Sequence, residues 1–196
     1  DVGLRAAIER WPSLPDLHLE LAQRLQSKGL LADAATSLVE AVRLVPKQIQ
    51  VRLRLAEVLR RQQKFAEAEA ALRDVIALDP ERPWTYGSLG WVLMDAKKYA
   101  EAERAFLESL LRVPQDEISQ RGLGQALFHL KRQDEAIAAL RKAVQLAPGD
   151  PHAHNWLGWA LFDTQQLAEA LPYFQEAVRL QPGNAHFQWG LGRALF

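Results

Sequence analysis

The chain has no cysteine among its 196 residues. Disulfides, thiolate metal sites and a cysteine nucleophile are therefore excluded, and the compartment stays open, cytoplasmic and periplasmic alike. It also lacks a surplus of either charge: 24 Lys and Arg face 24 Asp and Glu. That balance argues against nucleic acid or an anionic membrane as the main partner. No apolar run approaches the roughly 18 residues needed to span a bilayer, so membrane insertion is not expected. No signal peptide is visible, although the sequence starts at Asp1 rather than Met. Apolar residues nevertheless make up 48% of the chain, enough for a continuous core.

What is present is a period. Pro12, Pro46, Pro80, Pro114, Pro148 and Pro182 stand 34 residues apart. Numbering the proline as position 32 of a repeat makes full repeats of 15–48, 49–82, 83–116, 117–150 and 151–184. Position 7 is then always leucine (Leu21, Leu55, Leu89, Leu123, Leu157) and position 20 always alanine (Ala34, Ala68, Ala102, Ala136, Ala170). Position 8 is small (Ala22, Ala56, Gly90, Gly124, Gly158), position 11 is leucine, and position 24 is Leu38, Leu72, Phe106, Leu140 and Phe174. Positions 4, 7, 8 and 11 form one stripe of a first helix; positions 20, 24, 27 and 28 form the matching stripe of a second. Small residues at 8 and 20 allow close approach, and the proline ends the second helix. One hairpin cannot bury its stripe alone, so neighbours must stack.

This pattern resembles the tetratricopeptide repeat (TPR) family along the whole chain. The departures are local: position 4 is His18, Arg52, Tyr86, Gln120 and His154 rather than Trp, and position 11 is Leu rather than Tyr. The resemblance implies an all-α, right-handed α-solenoid of stacked antiparallel helix hairpins. It also implies a protein–protein interaction scaffold, with a peptide or protein segment as partner. Residues 1–14 read as the second helix of a preceding repeat and 185–196 as the first helix of a sixth. The chain is thus expected to be a fragment of a longer array. Two alternatives follow: a substrate-recruiting or tethering arm of a larger enzyme or secretion machine, and a self-assembling scaffold that stacks through its uncovered last helix.

Members of this family line their inner surface with positions 2, 5, 6, 9, 12 and 13 of the first helices. In the first two full repeats those positions are polar and include Arg54, Arg60 and Arg61. Later they become Trp84, Trp91, Met94, Phe128, Trp156, Trp159, Phe162, Trp189 and Phe196. Tryptophan on such a face offers a large rigid contact and an N–H donor, the chemistry of binding hot spots. These rings are expected to bind a peptide, with Gly87, Gly122 and Gly190 opening pockets between them; the position-12 residues also suit plain filling between helices. The arginines read either as a solvated helix face or as a basic lip that orients an acidic peptide. Some family members clamp a C-terminal carboxylate with Lys, Asn and Arg on three consecutive repeats; here Asn155 stands alone at position 5, so that sub-type is not expected.

Catalytic chemistry is not expected. His152 and His154 are two residues apart and diverge around a helix. His152 and His186 share position 2 on successive first helices, too far apart to meet one ion at about 2 Å, and read as surface residues. Asp163 and His129 share position 13 and are expected to pair, with no nucleophile beside them. Gly122 and Gly124 lie inside a helix rather than in a phosphate loop. No enzyme activity, cofactor or metal site is anticipated.

Overall fold

A computed structural model describes residues 2–195; the expectation for Phe196 lies outside them. Twelve α-helices and no strand occur among the described residues. The chain divides into two compact units, residues 1–96 and 97–196. The all-α, stacked-hairpin class expected from the sequence holds in each.

The first unit contains α1 (Val2–Arg10), α2 (Pro15–Ser27), α3 (Leu31–Leu44), α4 (Ile49–Arg61), α5 (Phe65–Leu78) and α6 (Pro83–Asp95). Each helix packs on the next in chain order. The second unit contains α7 (Tyr99–Arg112), α8 (Glu117–His129), α9 (Gln133–Leu146), α10 (Pro151–Asp163), α11 (Leu167–Leu180) and α12 (Ala185–Leu195). There too successive helices pack, and α10 also touches α8 and α12, so these three lie side by side.

The even-numbered helices start cleanly. Proline occupies the first turn of α2, α6 and α10, where its missing N–H costs nothing. The Asp116 and Asp150 carboxylates accept from the Ser119 and His152 amides at the starts of α8 and α10 (3.2 and 2.9 Å). The turns inside the hairpins all place position 15 in the left-handed region: Gly29 at φ 74°, then Gln63, Lys97, Lys131 and Gln165 at 60–63°. Only the first has the residue without a steric penalty there.

The core is the expected stripe. All five position-20 alanines are completely buried, as are Leu38, Phe106, Leu140 and Phe174 at position 24. Five of the six residues at position 4 share one task, and no such bond joins Gln120 to Pro114 among the described residues. His18 Nε2 donates to the Pro12 carbonyl (3.1 Å), Arg52 to Pro46 (2.8 Å), Tyr86 to Pro80 (3.0 Å), His154 to Pro148 (2.8 Å) and Gln188 to Pro182 (2.7 Å). Each bond ties the start of a first helix to the carbonyl of the proline six residues before it. Four chemically different donors satisfy the same acceptor, which explains why Trp is dispensable at this position.

Candidate functional site

In the first unit, α6 carries Trp84, Trp91 and Met94. Trp84 stands on the first turn with 60% of its surface in water; Trp91 and Met94 are half-buried. Arg54 and Arg61 on α4 are exposed. Arg60 is not a spare cation: it donates to Glu57 (3.1 Å) and to Asp95 at the end of α6 (2.8 Å). Its charge is met inside the unit, so a basic lip here rests on Arg54 and Arg61.

In the second unit the aromatic residues form two groups. Around the end of α8, Trp156 meets Phe128 edge-on (5.4 Å between ring centres) and His129 at 5.6 Å, and His129 stacks on Tyr99 at 4.4 Å. The expected His129–Asp163 pair does not form. The imidazole is taken up by rings, and Asp163 accepts instead from Gln133 (3.2 Å). Burial, then the nearby Lys131 charge, holds the His129 pKa below the ordinary histidine value.

The second group joins α10 and α12. Trp159 packs on Phe174 (5.2 Å), Phe162 (5.7 Å) and Trp189 (4.8 Å). Trp189 remains 53% exposed, and His186 stacks beside it at 6.0 Å. The Arg193 guanidinium lies over both Phe162 (5.4 Å) and Trp189 (5.7 Å). His152 meets Phe187 edge-on at 5.3 Å; burial first, then Arg121 and His186, lower its pKa, with Asp150 opposing. Asp150 itself pairs with Arg121 at 3.0 Å.

Position 12 is mixed. Phe128 and Phe162 both pack against the core of α9–α11, and each also carries a cation over its ring, Lys131 on Phe128 at 5.7 Å and Arg193 on Phe162. Filling and ligand contact are thus compatible for these residues.

Gly122 and Gly190 do not open pockets. A Cβ on Gly122 would overlap the Phe106 ring, and one on Gly190 would come within 2.7 Å of the Phe174 ring. Gly158 faces the same Phe174 ring from α10 at 2.8 Å. These positions are empty of side chain because a buried phenylalanine from the second helix fills the space. The expectation for Gly122 and Gly190 is corrected accordingly. A signal was available: position 6 is glycine in the repeats that follow Phe106 and Phe174, and Trp156 in the repeat that follows Leu140. One open cleft of about 450 Å³ lies elsewhere, on α7, α8 and α9, lined by Glu103, Leu107, Leu123, Leu127, Arg132 and Lys142. It holds none of the expected site residues.

The tetratricopeptide repeat family model matches residues 19–83 and 88–151, and a second model of the same repeat matches 151–184. The chain belongs to the tetratricopeptide repeat family. No curated protein sequence matches it. Solved TPR structures do. MamA from Desulfovibrio magneticus RS-1 is 22% identical, with a TM-score of 0.77 over 87% of this chain and 97% of that one. PilF from Pseudomonas aeruginosa is 20% identical, with a TM-score of 0.78 over 92% and 82%. YrrB, a TPR protein described as having an unusual peptide-binding site, is 18% identical, with a TM-score of 0.69 over 95% and 96%. At these identities the likeness shows the fold alone. TPR folds are in general protein-binding scaffolds rather than enzymes, and protein partners follow from the family. No helix among the described residues is long and apolar enough to cross a membrane.

Proposed function

We propose that this chain recognises a peptide or protein segment on the exposed faces of its even-numbered helices. The observation that carries the reading is the exposure of two large rings, Trp84 on α6 and Trp189 on α12, each on the first helix of a hairpin. Water-exposed tryptophan on a rigid helix is costly to solvate and gains most when a partner covers it. Trp91, Met94, Phe128, Trp156, Trp159 and Phe162 supply half-buried walls beside them, while Arg54 and Arg61 bring unneutralised charge to α4. Packing ranks these residues. Trp84 and Trp189 act as anchors, and Trp159 and Trp156 act as supports that hold neighbouring rings in place.

The test is a partner captured from the source cells, titrated against the parent and a Trp84→Ala/Trp189→Ala variant that remains helical. A loss of about 2 kcal/mol or more of binding supports the reading. Unchanged affinity would remove these faces from the interaction.

A further inference from the structure

Resting on that reading, we propose that the α10–α12 face holds a subsite for an acidic side chain, Asp or Glu, next to an apolar residue of the docked peptide. Arg193 is its charge partner, and Phe162 and Trp189 form its walls.

The argument starts from an unspent arginine. The second unit has seven arginines. Arg112, Arg121, Arg132, Arg141 and Arg179 each pair with a carboxylate, and Arg104 donates to the Ala100 carbonyl. Among the described residues Arg193 meets only ring faces, Phe162 and Trp189. A guanidinium lying over ring faces leaves its N–H fork for an acceptor elsewhere, and carboxylate is the acceptor whose geometry matches that fork. Stacking also fixes the fork, so little side-chain freedom is lost when an anion arrives.

The same cluster has a second donor in want of an acceptor. Trp159 Nε1 is buried with no hydrogen-bond partner among the described residues, and the Trp159 ring lies 4.8 Å from Trp189. Indole nitrogen donates only, but the cluster also holds an unpartnered buried acceptor, Asn155 Oδ1 beside Gly190, so the sign of the ligand's charge is set by Arg193. The acids on α10 and at its start are already engaged: Asp150 with Arg121, Asp163 with Gln133. An incoming carboxylate thus meets the exposed Arg193 guanidinium and rings rather than an unpaired acid of α10. The exposed Trp189 face beside the guanidinium suits an apolar neighbour of that acid. A single arginine framed by aromatic rings fits one carboxylate better than the denser charge of a phosphate, which calls for several cationic or N-terminal donors.

The probes are labelled random peptide pools of about a dozen residues with a fixed central Glu-Leu, Gln-Leu, Lys-Leu or phosphoserine-Leu pair. Binding to the full chain is followed by fluorescence anisotropy. The Glu pool should bind about tenfold tighter than the Gln pool, with the gap shrinking as salt rises. R193A should erase that gap while keeping the Gln-level binding, and R193K should restore only part of it, because an ammonium keeps the charge but not the fork. Circular dichroism checks that each variant stays helical. If peptides bind but the Glu and Gln pools do not differ, or R193A keeps the preference, the subsite is wrong while the recognition reading survives. A preference for phosphoserine over Glu would overturn the carboxylate assignment. If no pool binds at all, subsite and recognition reading fall together.

Discussion

The two units solve the same packing problem with different residues. In the first, position 24 is leucine (Leu38, Leu72), and the helices around it carry Ala22 and Ala56 at position 8 and Arg54 and Ser88 at position 6. In the second, Leu140 keeps the leucine form opposite Gly124, while Phe106 and Phe174 reach further and face Gly122, Gly158 and Gly190. A larger ring on one helix is accommodated by deleting the side chain opposite. The exposed faces diverge as well. Arg60 on α4 is absorbed by Glu57 and Asp95, whereas Arg193 on α12 is held by aromatic rings. One fold therefore supports an arginine neutralised by acids in one unit and an arginine held by rings in the other.

The sharpest way to break this comparison is at the ring and its socket. Phe174→Ala should cost about 3–5 kcal/mol, because the buried ring leaves a cavity between α10, α11 and α12. Gly122→Ala should cost about 1–3 kcal/mol despite the better helix propensity of alanine, since its methyl overlaps the Phe106 ring. Adding Phe106→Leu should recover most of that loss, converting the pair to the form used in the first unit. Denaturant midpoints followed by circular dichroism read all three, and a double variant no better than Gly122→Ala would refute the coupling.

Anchors and supports should separate next. Trp189→Ala should cost about 2 kcal/mol of partner binding and little stability, because half its surface is already in water. Trp159→Ala should lower both, since its ring packs on Phe162, Phe174 and Trp189. Equal stability losses would erase the distinction.

A smaller effect is pH-dependent and sits in the second unit. His129 and His152 have folded pKa values lowered chiefly by burial. Above their unfolded value of about 6.5 both are neutral whether folded or not, and their contribution is fully present. As pH falls through that value the unfolded chain takes up protons that the folded chain resists, so stability drops. The melting temperature should decline between about pH 7.5 and 5.5, and less steeply in a His129→Phe/His152→Phe variant. A parallel decline in both would discard this source.

The smallest effect concerns the turns. Gln63→Gly in the first unit and Lys131→Gly in the second should each stabilise by up to about 1 kcal/mol, while Gly29→Ala should cost a similar amount. Thermal melts decide it, and destabilisation by the new glycines would show that their side chains make contacts worth more than the backbone strain.

Much of this architecture was legible in the spacing. Invariant leucine and alanine at positions 7 and 20 mark the two buried stripes, and α2, α4, α6, α8, α10 and α12 begin at 34-residue intervals. Position 4 looked irregular because His, Arg, Tyr and Gln share no size or charge. What unites His18, Arg52, Tyr86, His154 and Gln188 is a donor within reach of a proline carbonyl, a property of geometry rather than of residue class. Gly122 and Gly190 suggest openings in the sequence because a glycine in one helix does not announce which ring in another fills it. The pairing of Arg60 depended on Asp95, 35 residues away, and no periodicity encodes that. Which rings of the even-numbered helices are exposed and which are supports likewise required the packed neighbours of Trp159 and Trp156.

The central claim is that the even-numbered helices carry the recognition surface. Amide hydrogen exchange of the full chain, with and without a captured partner fragment, tests it most directly. The account predicts slowed exchange on α6, α10 and α12, together with quenching protection of Trp84 and Trp189. Protection confined to α3, α5, α9 and α11, with both tryptophans still quenched as in the free protein, would contradict it.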